Sequence, residues 1–161
     1  MALAGLESTA GTATYISAAE PAGYSAAELA ALTWEKVVGV VSFGEWGDSE
    51  NDVTQPLLEE ERVIHTNGVS DGGEVPISVQ YRTTDAGSDI ILANSGDNVT
   101  VTVLKVYKSG MGEVASGVLT SPRYVEASGD SVRGYRTNLR VNTAVTELSA
   151  SDVTRALAER H

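Results

Sequence analysis

The sequence predicts a mainly β protein: an antiparallel β-sandwich or small barrel with one flanking α-helix. Three observations predict it. Several segments of seven to eleven residues alternate apolar and polar side chains with period two. Short turn signals rich in Gly, Asn, Asp and Ser separate them. Only one stretch between them has the caps and apolar spacing of a helix of about ten residues. Strands that alternate and are joined by short turns pair antiparallel.

Residues 1–14 are small and polar and read as a flexible arm. In residues 25–32 (SAAELAAL), Ser25 and Glu28 have the spacing of a capping box, which predicts a short helical turn. Residues 34–43 (WEKVVGVVSF) are β-branched and aromatic and read as one strand. Residues 44–61 (GEWGDSENDVTQPLLEEE) break the pattern and read as an irregular excursion rather than a hairpin. Asn67-Gly68 and Asp71-Gly72-Gly73 read as turns. In residues 74–82, Val75, Ile77, Val79 and Tyr81 share one face; Pro76 favours an edge or strand start. Thr83 or Thr84 is expected to cap a helix over 85–94, stopped by Ser95-Gly96. Residues 98–108 (NVTVTVLKVYK) form the strongest strand pattern, followed by a turn at 109–112. Residues 113–127 form a strand interrupted at Pro122, and 133–148 a third with Tyr135, Thr137, Leu139 and Val141 on one face. The domain plan is therefore an arm (1–14), a β domain (15–148) and a C-terminal extension (149–161). Val153 and Leu157 suit a short helix in that extension.

Composition bounds the chemistry. The 161 residues carry 22 acids against 11 bases, a net charge of −11, with two histidines and no cysteine. One domain with a sizeable core fits that length. Disulfides are excluded and a transition-metal site is not expected. An acidic chain does not grip nucleic acid by its phosphates, though a like-charged wall lets DNA slide past. No apolar run is long enough to span a bilayer, and the start has no signal-peptide pattern. Asn98-Val99-Thr100 fits a glycosylation sequon by chance.

No catalytic, cofactor or metal residue emerges. A catalytic set would have to use His65, since His161 is the last residue, and no serine sits in a GxSxG elbow. Asp48, Glu50, Asp52 and Glu59 have the 1-3-5-12 spacing of a calcium loop, but Val53 stands where glycine is required. A glycosidase-like acid pair lacks the aromatic platforms that sugar clefts use. Gly110-Met111-Gly112 reads as a hairpin turn rather than a phosphate loop. No catalytic activity is expected.

Residues 24–44 (YSAAELAALTWEKVVGVVSFG) resemble the opening of tail tube (major tail) proteins of long non-contractile-tailed phages and gene-transfer-agent particles. Tyr24, Leu29, Leu32, Trp34, Val37, Val38 and Gly39 carry the pattern. The order downstream, a β segment, a helix after residues 81–87 and further β segments, extends the resemblance over residues 15–147. The acidic excursion and the charged end after Leu148 depart from it. The resemblance implies hexameric rings stacked head to tail around a lumen. The lumen would hold a tape-measure protein and conduct DNA during ejection, with tail terminator and distal tail proteins at the ends. The implied location is the virion tail, assembled in the bacterial host cytoplasm. Cofactors are not implied.

The residues themselves supply three matching features. Thr100, Thr102, Asn138 and Asn142 suit a sheet face that abuts another subunit or a watery channel. The excursion is longer than an ordinary connection and carries apolar groups. The net acidity suits a DNA conduit. The expected inter-ring contacts are Trp46, Asp48, Glu50, Asp52, Leu57 and Leu58, and the expected inter-subunit charge partners are Arg133, Arg136 and Arg140. Alternatives are another small β-rich virion protein (head decoration or tail completion) and a stand-alone β-sandwich binding module.

Overall fold

The structure is a computed structural model that describes residues 10–55, 63–125, 128–130 and 132–157. Its elements, in chain order, begin with β1 (Ala13–Ser17), α1 (Ala26–Ala30), β2 (Glu35–Val37) and β3 (Val40–Phe43). Next come β4 (Ser49–Gln55), β5 (Ile64–Asp71), β6 (Glu74–Gln80) and α2 (Ala86–Asn94). The chain continues with β7 (Thr100–Val106), β8 (Gly112–Leu119), β9 (Arg123–Tyr124) and β10 (Gly134–Val141), and ends with β11 (Thr146–Leu148) and α3 (Ala150–Ala156). The mainly antiparallel β architecture expected from alternation is what forms.

The main sheet runs β2-β1-β7-β8-β10-β6-β3, with β9 added on β10 and β11 on β8. Its two ends, β2 and β3, are joined by Val38 and Gly39 alone. The chain thus steps from one edge of the sheet to the other, and the sheet curls into a small barrel. The stretch 34–43 is therefore not one strand. Its first part pairs with β1 (Thr14↔Val37) and its second with β6 (Phe43↔Ile77).

Alternation selects which face each residue joins. Val75, Ile77 and Val79 of β6, with Tyr135, Leu139 and Val141 of β10, fill the barrel interior against Val101 and Val103 of β7. Ile91 of α2 closes that interior. On β1, β7 and β8 the opposite face is buried too. Tyr15, Leu104 and Val114 pack outward against Leu29 of α1 and Val153 and Ala156 of α3, with Trp34 and Leu148 between them. Trp34 Nε1 donates to the carbonyl of Leu29 at 2.9 Å, which satisfies the one polar atom of this buried ring.

Several local expectations change. Residues 13–17, partly assigned to an arm, form a strand paired on both sides, and residues 1–9 lie outside the described residues. The stretch 149–157, expected as an extension, packs into the second core through α3. The cap of α2 is Asp85, whose side chain accepts from Ser88 N at 3.1 Å, not Thr83 or Thr84. Aspartate competes well at this position because its carboxylate also reaches the β2–β3 turn. Thr102 is fully buried rather than on a polar outer face. Its hydroxyl donates to the Ala19 carbonyl at 2.7 Å and shares a hydrogen bond with Ser116 at 2.9 Å. Tyr24 donates to Ser116 at 2.7 Å, closing that network from the α1 side.

Pro76 sits on an inner strand, contrary to its expected edge or strand-start place. Its carbonyl accepts from Gly44 N at 2.8 Å, so the missing N–H falls where β3 is already ending and costs little pairing. Asn67-Gly68 lies within β5, not at a turn, beside a register shift opposite Glu50 and Asp52. The turn at Gly72-Gly73 does form, with Gly73 at φ +68°.

Candidate functional site: the two ends of the barrel

Strand directions place the ends of the barrel. Antiparallel pairing puts the end of β3, the start of β6, the end of β10 and the end of β7 at one end. The end of β6, the start of β10 and β9 lie at the other.

The first end carries residues 44–61, expected to be irregular. Through Gln55 they are instead half of a hairpin. β4 and β5 form a two-stranded sheet of their own, paired from Ser49↔Asp71 to Gln55↔Ile64. The sequence hides it because neither strand has an apolar face; backbone pairing makes it, with a side-chain contact across it between Asp52 and His65. A seven-residue strand reaches about 23 Å. Asp48, Glu50 and Asp52 are exposed, as are Val53 and Val69, the latter at 76 %. Asp52 meets His65 Nδ1 at 2.8 Å, with both side chains mostly in solvent, so His65 is a surface partner of Asp52 across the hairpin. Among the described residues no three His, Cys, Asp or Glu groups cluster as metal ligands. Leu57, Leu58 and Glu59 lie outside the described residues.

Trp46, expected to stand out as an anchor, is half-buried at the hairpin's base. Its ring meets Phe43 edge-on at 5.0 Å, and both pack against the interior core. Lys105 Nζ lies 4.7 Å from the Phe43 ring centre and 5.2 Å from that of Trp46, with Glu113 at 3.8 Å. Burial holds the Lys105 pKa below its ordinary value, opposed by the Glu113 charge. A cleft of about 470 Å³ opens beside it, between β3 and residues 11–14. Tyr107 donates to Glu113 and completes this polar base.

Arg140 is also at the hairpin end and is already matched, since its Nε donates to Glu74 at 2.8 Å. Arg133 and Arg136 are at the opposite end. The guanidinium of Arg133 lies 4.0 Å from the Tyr81 ring centre. Arg136 stands directly opposite Arg123 across the β9–β10 pair. The structure therefore splits the three arginines that sequence spacing had grouped.

Asp85, which the sequence reading did not single out, ties this second end together. It is buried, and its other oxygen accepts from Val38 N at 3.2 Å and Gly39 N at 3.3 Å. Gly87 lets α2 approach β2: a Cβ there would lie 2.6 Å from the Lys36 carbonyl oxygen. Nothing in the described geometry groups a nucleophile, base and acid for catalysis.

Solved structures of other proteins share this architecture. The SPP1 tail tube, determined by solid-state NMR and cryo-EM, aligns with a TM-score of 0.61 at 11 % identity, covering 85 % of this chain and 74 % of that one. The fold is tail tube-like. The same tail tube-like fold aligns with the tail of an empty GTA particle refined with C6 helical symmetry, at TM-score 0.53 and 15 % identity, over 72 % of this chain and 87 % of that one. It also aligns with the sixfold-symmetrised baseplate of the anti-feeding prophage, at TM-score 0.59 and 6 % identity, over 93 % and 99 %. No protein-family model and no curated sequence matches the chain. At these identities the tail tube-like likeness is one of fold, carried by barrel topology rather than by shared side chains.

Proposed function

We propose that the chain is the repeating structural subunit of a tail tube, in which copies close into rings and rings stack head to tail. The observation that carries this reading is the β4–β5 hairpin. It projects from one end of the barrel, is exposed over residues 49–54, 65–67 and 69–71, and belongs to no larger sheet among the described residues. An isolated two-stranded hairpin is marginal in water, so a second molecule is its natural support. A contact between unlike surfaces closes a ring around the axis and gives an open polymer along it.

The fold likeness to the SPP1 tube and to C6-symmetric and sixfold particles supports a six-membered ring. In this reading Asp48, Glu50 and Asp52 meet the next ring, Leu57 and Leu58 add apolar contact, and Trp46 stiffens the hairpin's base. Arg133 and Arg136 pair with carboxylates of a neighbour, with Arg140 held by Glu74. The outer face of β6 and β10, where Glu74, Pro76, Arg136 and Arg140 are exposed, is the side open to neighbouring copies or the lumen. The lumen houses a tape-measure protein and passes DNA without sequence-specific binding. Terminator and distal tail proteins cap the ends, and the assembly belongs to a virion tail built in the host cytoplasm. No catalytic step belongs to this function.

The likeness to a baseplate component favours one second reading, a ring at the end of a tail rather than along it. Replacing residues 49–71 by a short Gly-Ser link tests the hairpin's part. The expected product is a folded monomer that makes no tubes. Tubes of normal width from that variant would remove the hairpin from the account.

A further inference from the structure

The two ends of the barrel differ in charge. At the end opposite the hairpin, Arg82, Arg123, Arg133 and Arg136 are all exposed. They are four of the chain's eleven bases, in a protein of net charge −11. Among the described residues none of the four lies within ion-pair distance of an acid; the three pairs that form are His65–Asp52, Lys105–Glu113 and Arg140–Glu74. Asp85, the acid nearest Arg82 in sequence, has both oxygens occupied by backbone N–H groups. Arg123 and Arg136 face each other across two strands, a like-charge arrangement that destabilises a sheet unless an anion joins it. Tyr124 at 67 % exposure and Val132 at 61 % give this charged end an apolar rim.

The hairpin end is the complement. Asp48 and Glu50 are exposed and in no ion pair among the described residues, and Val53 and Val69 stand exposed beside them. We infer that the acidic hairpin of one copy docks on the Arg82–Arg123–Arg133–Arg136 end of the next copy. The carboxylates of Asp48 and Glu50 sit between Arg123 and Arg136, and Val53 and Val69 rest on Tyr124 and Val132. The inference rests on the tube reading and adds the receptor for the hairpin. Arg140 is not part of that receptor; it serves its own hairpin end through Glu74. With copies stacked end to end, donor and receptor at opposite ends of the barrel leave one of each free at every step, so the contact propagates along one axis.

Charge reversal tests it. Arg123→Glu with Arg136→Glu should raise the concentration needed for rods about 100-fold, as reversal of close interfacial charges does. Its circular dichroism spectrum and melting temperature as a monomer should be unchanged, because both sites are exposed. Asp48→Lys with Glu50→Lys should do the same. The chain carrying all four changes should recover rods, since the complement is restored with the signs exchanged. Wild-type rod formation by the Arg-reversed chain, or no recovery in the fourfold variant, would overturn the contact. Absence of rods from the wild-type chain itself would count against the tube, not the contact. An equimolar mixture of the two reversed chains then decides: complexes above monomer mass by light scattering support the contact, and monomers alone overturn it.

Discussion

Replacing Asp85 with alanine removes three hydrogen bonds at once, and the structure sets the size of the loss. Its Oδ1 caps α2 through Ser88 N, and its Oδ2 holds Val38 N and Gly39 N in the turn that carries the chain from one sheet edge to the other. Loss of an N-cap costs about 1 kcal/mol. The Gly39 N–H is buried, and leaving it unpaired costs roughly 1–3 kcal/mol, whereas the part-buried Val38 N–H falls near the lower bound. The sum is about 3–5 kcal/mol. Against a domain stability of about 5–15 kcal/mol, that is a large share. At about 2–4 °C per kcal/mol for a domain of this size, it lowers the melting temperature by about 10 °C. Asp85→Asn keeps one acceptor oxygen and should lose about half as much. Urea unfolding followed by circular dichroism, at dilution low enough that assembly adds nothing, measures both variants. A loss below about 1 kcal/mol for Asp85→Ala would refute the idea that this carboxylate locks the barrel's closure.

Three further outcomes follow from the packing. Truncation after Leu148 removes Val153 and Ala156 from the second core, and should cost about 3 kcal/mol in urea unfolding; undiminished stability would return 149–161 to the standing of an extension. Trp46→Ala should cost about 2 kcal/mol, as a half-buried ring does, yet leave rods wherever the variant is folded; loss of rods at full stability would make Trp46 a contact instead of a support. Burial raises the Tyr135 pKa above its ordinary value. Above about pH 10 the unfolded chain releases this phenolic proton while the folded chain keeps it, so stability falls as pH rises through that range. Tyr135→Phe should be less stable than wild type at pH 8, for want of the Ser88 hydrogen bond, and the gap should narrow by pH 10.5. Lys105 acts in the opposite sense in both chains, because its lowered pKa makes stability rise with pH, and it cancels in the comparison.

The legible parts of this fold are those where one face is buried and the other wet. β6 and β10 show it: Val75, Ile77 and Val79, and Tyr135, Thr137 and Leu139, read directly from period-two alternation. β7 reads as a strand from its pattern, but its second buried face does not. Thr102 counts as polar in any pattern, and only the arrival of Ala19 and Ser116 from 83 and 14 residues away makes it a buried, satisfied hydroxyl. The hairpin escaped for the reverse reason. SENDVTQ has nothing to bury, so no pattern marks it as a strand. α3 was visible as a helix, but its docking on α1 is a long-range event that local spacing does not encode.

The candidate site was half legible for similar reasons. The acidic run at 48–52 is plain in the sequence. Arg133, Arg136 and Arg140 look like one stripe because strand spacing puts 136 and 140 on the same face. Glu74, brought in by β6, neutralises Arg140, while Arg123, brought in by β9, reinforces Arg136. Register between distant strands, not spacing within one, decides which arginines stay free.

A tail tube subunit must assemble with itself, and negative-stain electron microscopy of the purified chain at high concentration shows whether it does. Hollow rods of uniform width with sixfold end views are expected, shortened as salt rises and the charge contacts are screened. Isolated monomers at that concentration, with no rods and no rings, would contradict self-assembly.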